Sequence, residues 1–81
     1  MSLAYNLAPA PEPRVQLAVL RFGELWKILH AGTPFGRFYE RESAIWAAGR
    51  LARDAELQGH KVELLVQDPT GEVRRWSTAF A

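Results

Sequence analysis

The chain has no cysteine and a single methionine among its 81 residues. Disulfides and thiolate metal sites are therefore excluded, and stability must come from packing or self-association. Charge of one sign is also missing: ten basic and nine acidic residues leave a net charge of +1. A nucleic-acid-binding domain usually carries a clear basic excess, which this chain lacks. No apolar run approaches the roughly 20 residues needed to cross a bilayer as a helix. The opening stretch "MSLAYNLAPAPEPR" has neither a basic start nor a continuous apolar segment, so a cytoplasmic location is the expectation.

The chain does have apolar residues, at 48% of the sequence, enough for one small folded domain. Residues 1–14 read as an arm, because Pro9, Pro11 and Pro13 alternate with Ala10 and Glu12 in a polyproline II pattern unsuited to a sheet centre. Residues 15–81 read as the domain.

"VQLAVLRF" and "LWKILHA" form two strand-like runs, and Gly23-Glu24 between them suits a two-residue hairpin loop. In that register Val15, Leu17, Val19, Trp26 and Ile28 share one face, and Ala18, Leu20, Phe22, Leu25 and Leu29 share the other. "GTPFG" (residues 32–36) reads as a loop because glycine and proline break regular structure. "RFYE" is a short extended piece before the helix.

"RESAIWAAGRLARDAELQG" has helical periodicity. Ala44, Ile45, Ala48, Leu51, Ala52 and Ala55 form an apolar stripe, and Gly59 is the expected stop. "KVELLVQ" and "EVRRWSTAF" then form a strand pair joined by "DPTG", a turn with Asp first and Gly last. The expected fold is α+β: an antiparallel sheet in ββαββ order with one helix on one face.

Pairing the last two strands sends Arg74 and Trp76 to the Val62, Leu64 and Val66 face, and Arg75 to the side of Glu63 and Leu65. The two adjacent arginines therefore do not make one basic patch. A second basic-aromatic set, Trp46, Arg50, Arg53 and Leu57, shares the helix face opposite the alanine stripe. That composition suits a contact with a partner protein, and also stacking on a base.

The chemistry-bearing residues are sparse. His30 and His60 lack a metal-ligand spacing, Glu40 and Glu42 suit a helix start, and Ser43 and Ser77 have no evident base. The glycines lack a phosphate-loop context. No catalytic, cofactor-binding or metal-ligating residue is assigned, and no cofactor is expected.

"FYERESAIWAAGRLARDAELQG" followed by "VELLVQDPTGEVRRW" resembles a family of small bacterial domains of unknown function. Gly23 with Trp26, Phe38, Ala44-Ile45, Ala48, Leu51-Ala52 and Asp68–Gly71 occupy the places of its motifs, over about residues 20–76. Glu40, where that pattern prefers Ser or Thr, and the proline arm are departures. The family has no agreed activity, so the resemblance implies an architecture and no function. A looser likeness runs to the arm-type DNA-binding domains of phage integrases, which read DNA through a basic sheet face. The opposed Arg74 and Arg75 fit that poorly.

The leading expectation is a non-enzymatic interaction module that forms a homodimer through Leu20, Phe22, Leu25, Leu29 and Leu65 on the open sheet face. One helix covers only one face, and an apolar second face left in water would exceed what monomers normally tolerate. The second expectation is weak nucleic-acid binding through Arg50, Arg53 and Trp46 or through the Arg74–Trp76 strand. The third is a ligand-binding or enzymatic site formed between subunits.

Overall fold

The computed structural model describes residues 14–76. Five strands and one helix follow in the order βββαββ: β1 (Arg14–Phe22), β2 (Leu25–His30), β3 (Thr33–Phe38), α1 (Arg41–Leu57), β4 (Lys61–Gln67) and β5 (Val73–Trp76). The strands form one sheet in the order β3-β2-β1-β4-β5. The α+β class and the single helix packed against the sheet agree with the sequence reading. The ββαββ order and the wholly antiparallel sheet do not.

Both corrections have one cause. Residues read as a loop from Gly32 to Gly36 are mostly strand β3, which pairs antiparallel with β2. Pro34 is tolerated because β3 is an edge strand, where a missing N–H breaks no central ladder. The β2–β3 hairpin turns at Ala31 and Gly32, both at positive φ (53° and 80°), and alanine in that conformation disguises the turn. An extra strand before the helix reverses the direction in which β4 emerges. β4 therefore pairs with β1 in parallel, Val15 beside Val62 through Val19 beside Val66, and the sheet is mixed.

The remaining pairings follow the expected registers, with Phe22 opposite Leu25 and Ile28 opposite Val19. Leu64 lies opposite Trp76, and Leu65 opposite Arg75. β1 begins at Arg14, inside the segment read as arm. The rest of that arm, and the strand expected beyond Trp76, lie outside the described residues.

The core is Leu17, Val19, Trp26, Ile28, Leu64 and Val66 from the sheet against Ala44, Ala48 and Ala52 from α1. Each of the three alanines is fully buried. Spaced four apart, they lie along one side of the helix, and their small side chains let it lie close to the strands. The outer members of the predicted stripe are less enclosed: Ile45 and Ala55 are half-buried and Leu51 is 41% exposed. Glu40 stands at the N-cap without a side-chain capping bond, and Gly59 follows the C-terminus at φ 92°. Among the described residues, no helix is long and apolar enough to cross a membrane.

Candidate functional site

The polar chemistry of the fold stabilises a turn and a sheet edge. In the β4–β5 turn, the Asp68 carboxylate accepts hydrogen bonds from the Thr70 hydroxyl, the Thr70 N–H at 2.9 Å and the Glu72 N–H at 3.1 Å. It also pairs with Arg74 Nε at 3.0 Å. The Thr70 hydroxyl, then Arg74 and the backbone donors, hold its pKa down to about 2, against an opposing effect of partial burial. Arg74 also meets Glu72.

On the other side of the sheet, Glu63 accepts from Gln16 Nε2 and Arg75 Nη2, each at 2.8 Å. Its pKa is lowered by Gln16 first and Arg75 second. Each arginine of the Arg74–Trp76 strand is thus engaged by a carboxylate, and the two point to opposite faces as the sequence predicts. Trp76 is 38% exposed, with the Arg41 guanidinium 5.7 Å from its ring centre. Arg41 Nε donates to the Gln67 carbonyl at 2.9 Å, which ties the helix start to the end of β4.

Among the described residues, no group of three His, Cys, Asp or Glu side chains is placed to hold a metal ion. His30 closes β2 in an exposed position, while His60 precedes β4, half-buried, with its Nδ1 atom enclosed and lacking a hydrogen-bond partner.

Two apolar surfaces stand out instead. The first is the sheet face away from α1. The registers put Ala18, Leu20, Phe22, Leu25, Leu29, Leu65 and Val73 on it, as the sequence predicts. Leu29, Ala18 and Leu65 are lateral neighbours across β2, β1 and β4. Leu20, Leu25, Leu29 and Leu65 are half-buried among their neighbours, while Phe22 is 42% and Val73 50% exposed. Lys27 brings its ammonium within 5.7 Å of the Phe22 ring centre. Gln16, Glu63 and Arg75 form a hydrogen-bonded polar margin along one end. Among the described residues, no helix or strand covers this face.

The second surface lies between α1 and β3. A five-stranded sheet is about 20 Å wide and a helix about 10 Å. α1 packs chiefly over β4 and β1 and only lightly over β3, so the β3 side stays partly open. An open groove of about 370 Å³ runs there, walled by Phe35, Phe38, Trp46, Ala47, Arg50 and Leu51, with Ile28 and Gly36 beneath and Asp54 on the rim. A second depression of about 440 Å³ continues from it, sharing Phe38, Trp46 and Ala47 and adding Glu42 and Ser43.

The two phenylalanines meet there because β3 is bulged. Phe38 pairs with Trp26 and Phe35 with Ile28, so three steps along β3 match two along β2. In a regular strand, residues three apart face opposite ways; one extra residue brings both rings to the helix side. Gly36 supplies the positive φ of 83° in this segment. The Phe38 ring lies so close that a β-carbon on Gly36 would sit 2.5 Å from Cε2. Arg50 stacks on Trp46 with its guanidinium 5.1 Å from the ring centre.

The helix-face residues predicted for a partner are exposed: Trp46 at 66% and Leu57 at 77%, with Arg50 and Arg53 also at the surface. Trp46 and Arg50 join the groove wall, whereas Arg53 and Leu57 are not among its lining residues. Phe35 went unassigned in the sequence reading because it sits inside the supposed loop. The pattern Phe-Gly-Arg-Phe held the missing signal, since an isolated glycine within an extended aromatic segment marks a bulge. No family model, curated protein or solved structure matches the chain, so function is argued from these surfaces alone.

Proposed function

We propose that the protein is a non-enzymatic interaction module that self-associates as a homodimer through the open face of its sheet. The supporting observation is the parallel β1–β4 pair at the centre of the sheet, which carries Ala18 and Leu65 toward the uncovered side. A contiguous apolar patch on an uncovered sheet face marks an interaction surface. Leu20, Phe22, Leu25 and Leu29 extend the same apolar surface over β1 and β2. A two-fold contact would bury the same residues on each copy.

Leu20→Asp tests this reading. It places a carboxylate in the proposed interface and should give monomers or unfolded protein. Phe22→Ser is the milder companion: Phe22 is 42% exposed, so the fold should survive while the association weakens. A dimer that keeps its full affinity in the folded Phe22→Ser variant argues for another interface.

Nucleic-acid binding is the second reading, and the stacked Arg50–Trp46 pair favours it. The near-neutral charge and the carboxylates on Arg74 and Arg75 weigh against it. Binding to random duplex DNA should be weak at physiological salt. Tight binding with a steep salt slope would promote that reading, and charge reversal at Arg50 and Arg53 would locate it.

A further inference from the structure

We propose that the homodimer across the open sheet face is tightened by a multivalent phosphate-type oxyanion, held at the end of that face where Arg14, Lys61 and Arg75 cluster. The inference rests on the self-association reading and names a ligand of the same surface.

Charge on this face is one-sided. The registers of β1, β2, β4 and β5 place Arg14, Lys27, Lys61 and Arg75 on it, with Glu63 as the sole carboxylate. Its formal charge is therefore +3, in a chain whose net charge is +1. Glu63 is already engaged by Gln16 and Arg75, each at 2.8 Å. Residues 1–13 and 77–81 add one acidic side chain, Glu12. A two-fold contact sets the face against its own copy. Cations then meet cations, and the face offers no second carboxylate to answer them.

The penalty is large enough to measure. Packed sheets lie about 10 Å apart. Two +3 charges at that separation in water, about one Debye length apart at about 0.1 M salt, weaken association by roughly tenfold. The apolar patch must outweigh that repulsion, and a bound anion removes it.

Three of the cations are placed to share one anion. Arg14 stands beside Lys61 across the β1–β4 pair. Arg75 extends toward the same place through Glu63, on which the Arg14 charge also acts. Two open depressions meet at Arg14. One, of about 310 Å³, has Lys61, Glu63, Arg75 and Trp76 in its wall, and the other, of about 180 Å³, has Gln16 and His30. Two guanidinium groups and an ammonium suit several phosphate oxygens at once, which a chloride ion cannot match. Lys27 lies apart from this cluster, over the Phe22 ring.

Arg14 and Lys61 are both exposed, so the double variant Arg14→Gln, Lys61→Gln should keep the fold. Sedimentation equilibrium of the wild-type protein is run in sodium chloride and in millimolar sodium pyrophosphate at matched ionic strength. Pyrophosphate should lower the dimer Kd by about tenfold. The double variant, its face reduced to a formal +1, should dimerise more tightly than wild type in chloride and gain about twofold at most from pyrophosphate. An equal wild-type Kd in the two salts overturns the proposal, as does a full pyrophosphate gain in the double variant. A dimer indifferent to the anion defeats this proposal alone. A folded monomer in both salts at every concentration defeats it together with the self-association reading.

Discussion

The two faces of this sheet differ both in apolar content and in neighbours: the side away from α1 carries an apolar patch set among Gln16, Lys27, Lys61, Glu63, Gln67 and Arg75. Toward α1, Leu17, Val19, Ile28, Leu64 and Val66 are each no more than 3% exposed. On the other side, Leu20, Leu25, Leu29 and Leu65 are half-buried, and Phe22 and Val73 are largely open. One side meets three alanines on a helix; the other meets no described element. Along β1 apolar residues stand at both phases, whereas the open phase of β4 is Lys61, Glu63, Leu65 and Gln67, the alternation of a strand with one solvated face. The comparison teaches that the open side is apolar chiefly over β1 and β2, through Ala18, Leu20, Phe22, Leu25 and Leu29, with Leu65 alone continuing it onto β4.

The largest effect should come from Leu20→Asp, which breaks the open side: loss of the dimer, or of the fold with it. Ala48→Leu attacks the covered side. Ala48 is fully buried at the centre of the helix stripe, so extra methylenes must overpack the contact, at a cost of about 1–3 kcal/mol in a denaturant titration. A variant as stable as wild type would mean that α1 can lift from the sheet without loss.

Gly36→Ala sharpens the contrast locally. Its β-carbon would collide with the Phe38 ring, and alanine disfavours φ 83°. The expected cost is about 1–2 kcal/mol, with chemical-shift changes at Phe35, Phe38 and Trp46 and little change on the open face. Shifts spreading to Leu29 and Leu65 instead would show that the two surfaces are coupled.

The smallest effect is acid sensitivity. The folded-state pKa of Asp68 is depressed to about 2 from an ordinary 3.8. A depressed carboxylate stabilises the fold above its unfolded value, and that contribution is lost as pH falls through the folded one. The difference in melting temperature between wild type and Asp68→Asn should therefore shrink between about pH 4 and pH 2. A constant difference across that window would mean that the carboxylate charge contributes nothing to the turn.

Legibility in the sequence followed local chemistry. The first hairpin was readable from Gly23-Glu24, the helix from its alanine spacing, and the last turn from Asp68 and Gly71. Face assignments come with them, so the side of the sheet on which Leu20, Phe22 and Leu25 lie is legible from the hairpin register alone. The third strand was hidden by Pro34 and Gly36, which are breakers in general and tolerated at a bulged edge. Missing it inverted the predicted direction of β4 and concealed the groove. Ala31 at positive φ hid the second hairpin, because alanine pays for that conformation where glycine or asparagine would have signalled it.

The central claim is that the open sheet face is covered by a second copy. Sedimentation equilibrium of the wild-type protein across a wide concentration range tests it most directly. The account predicts a reversible monomer–dimer transition, shifted to higher concentration by Phe22→Ser. A folded wild-type monomer that persists at high micromolar concentration would contradict it.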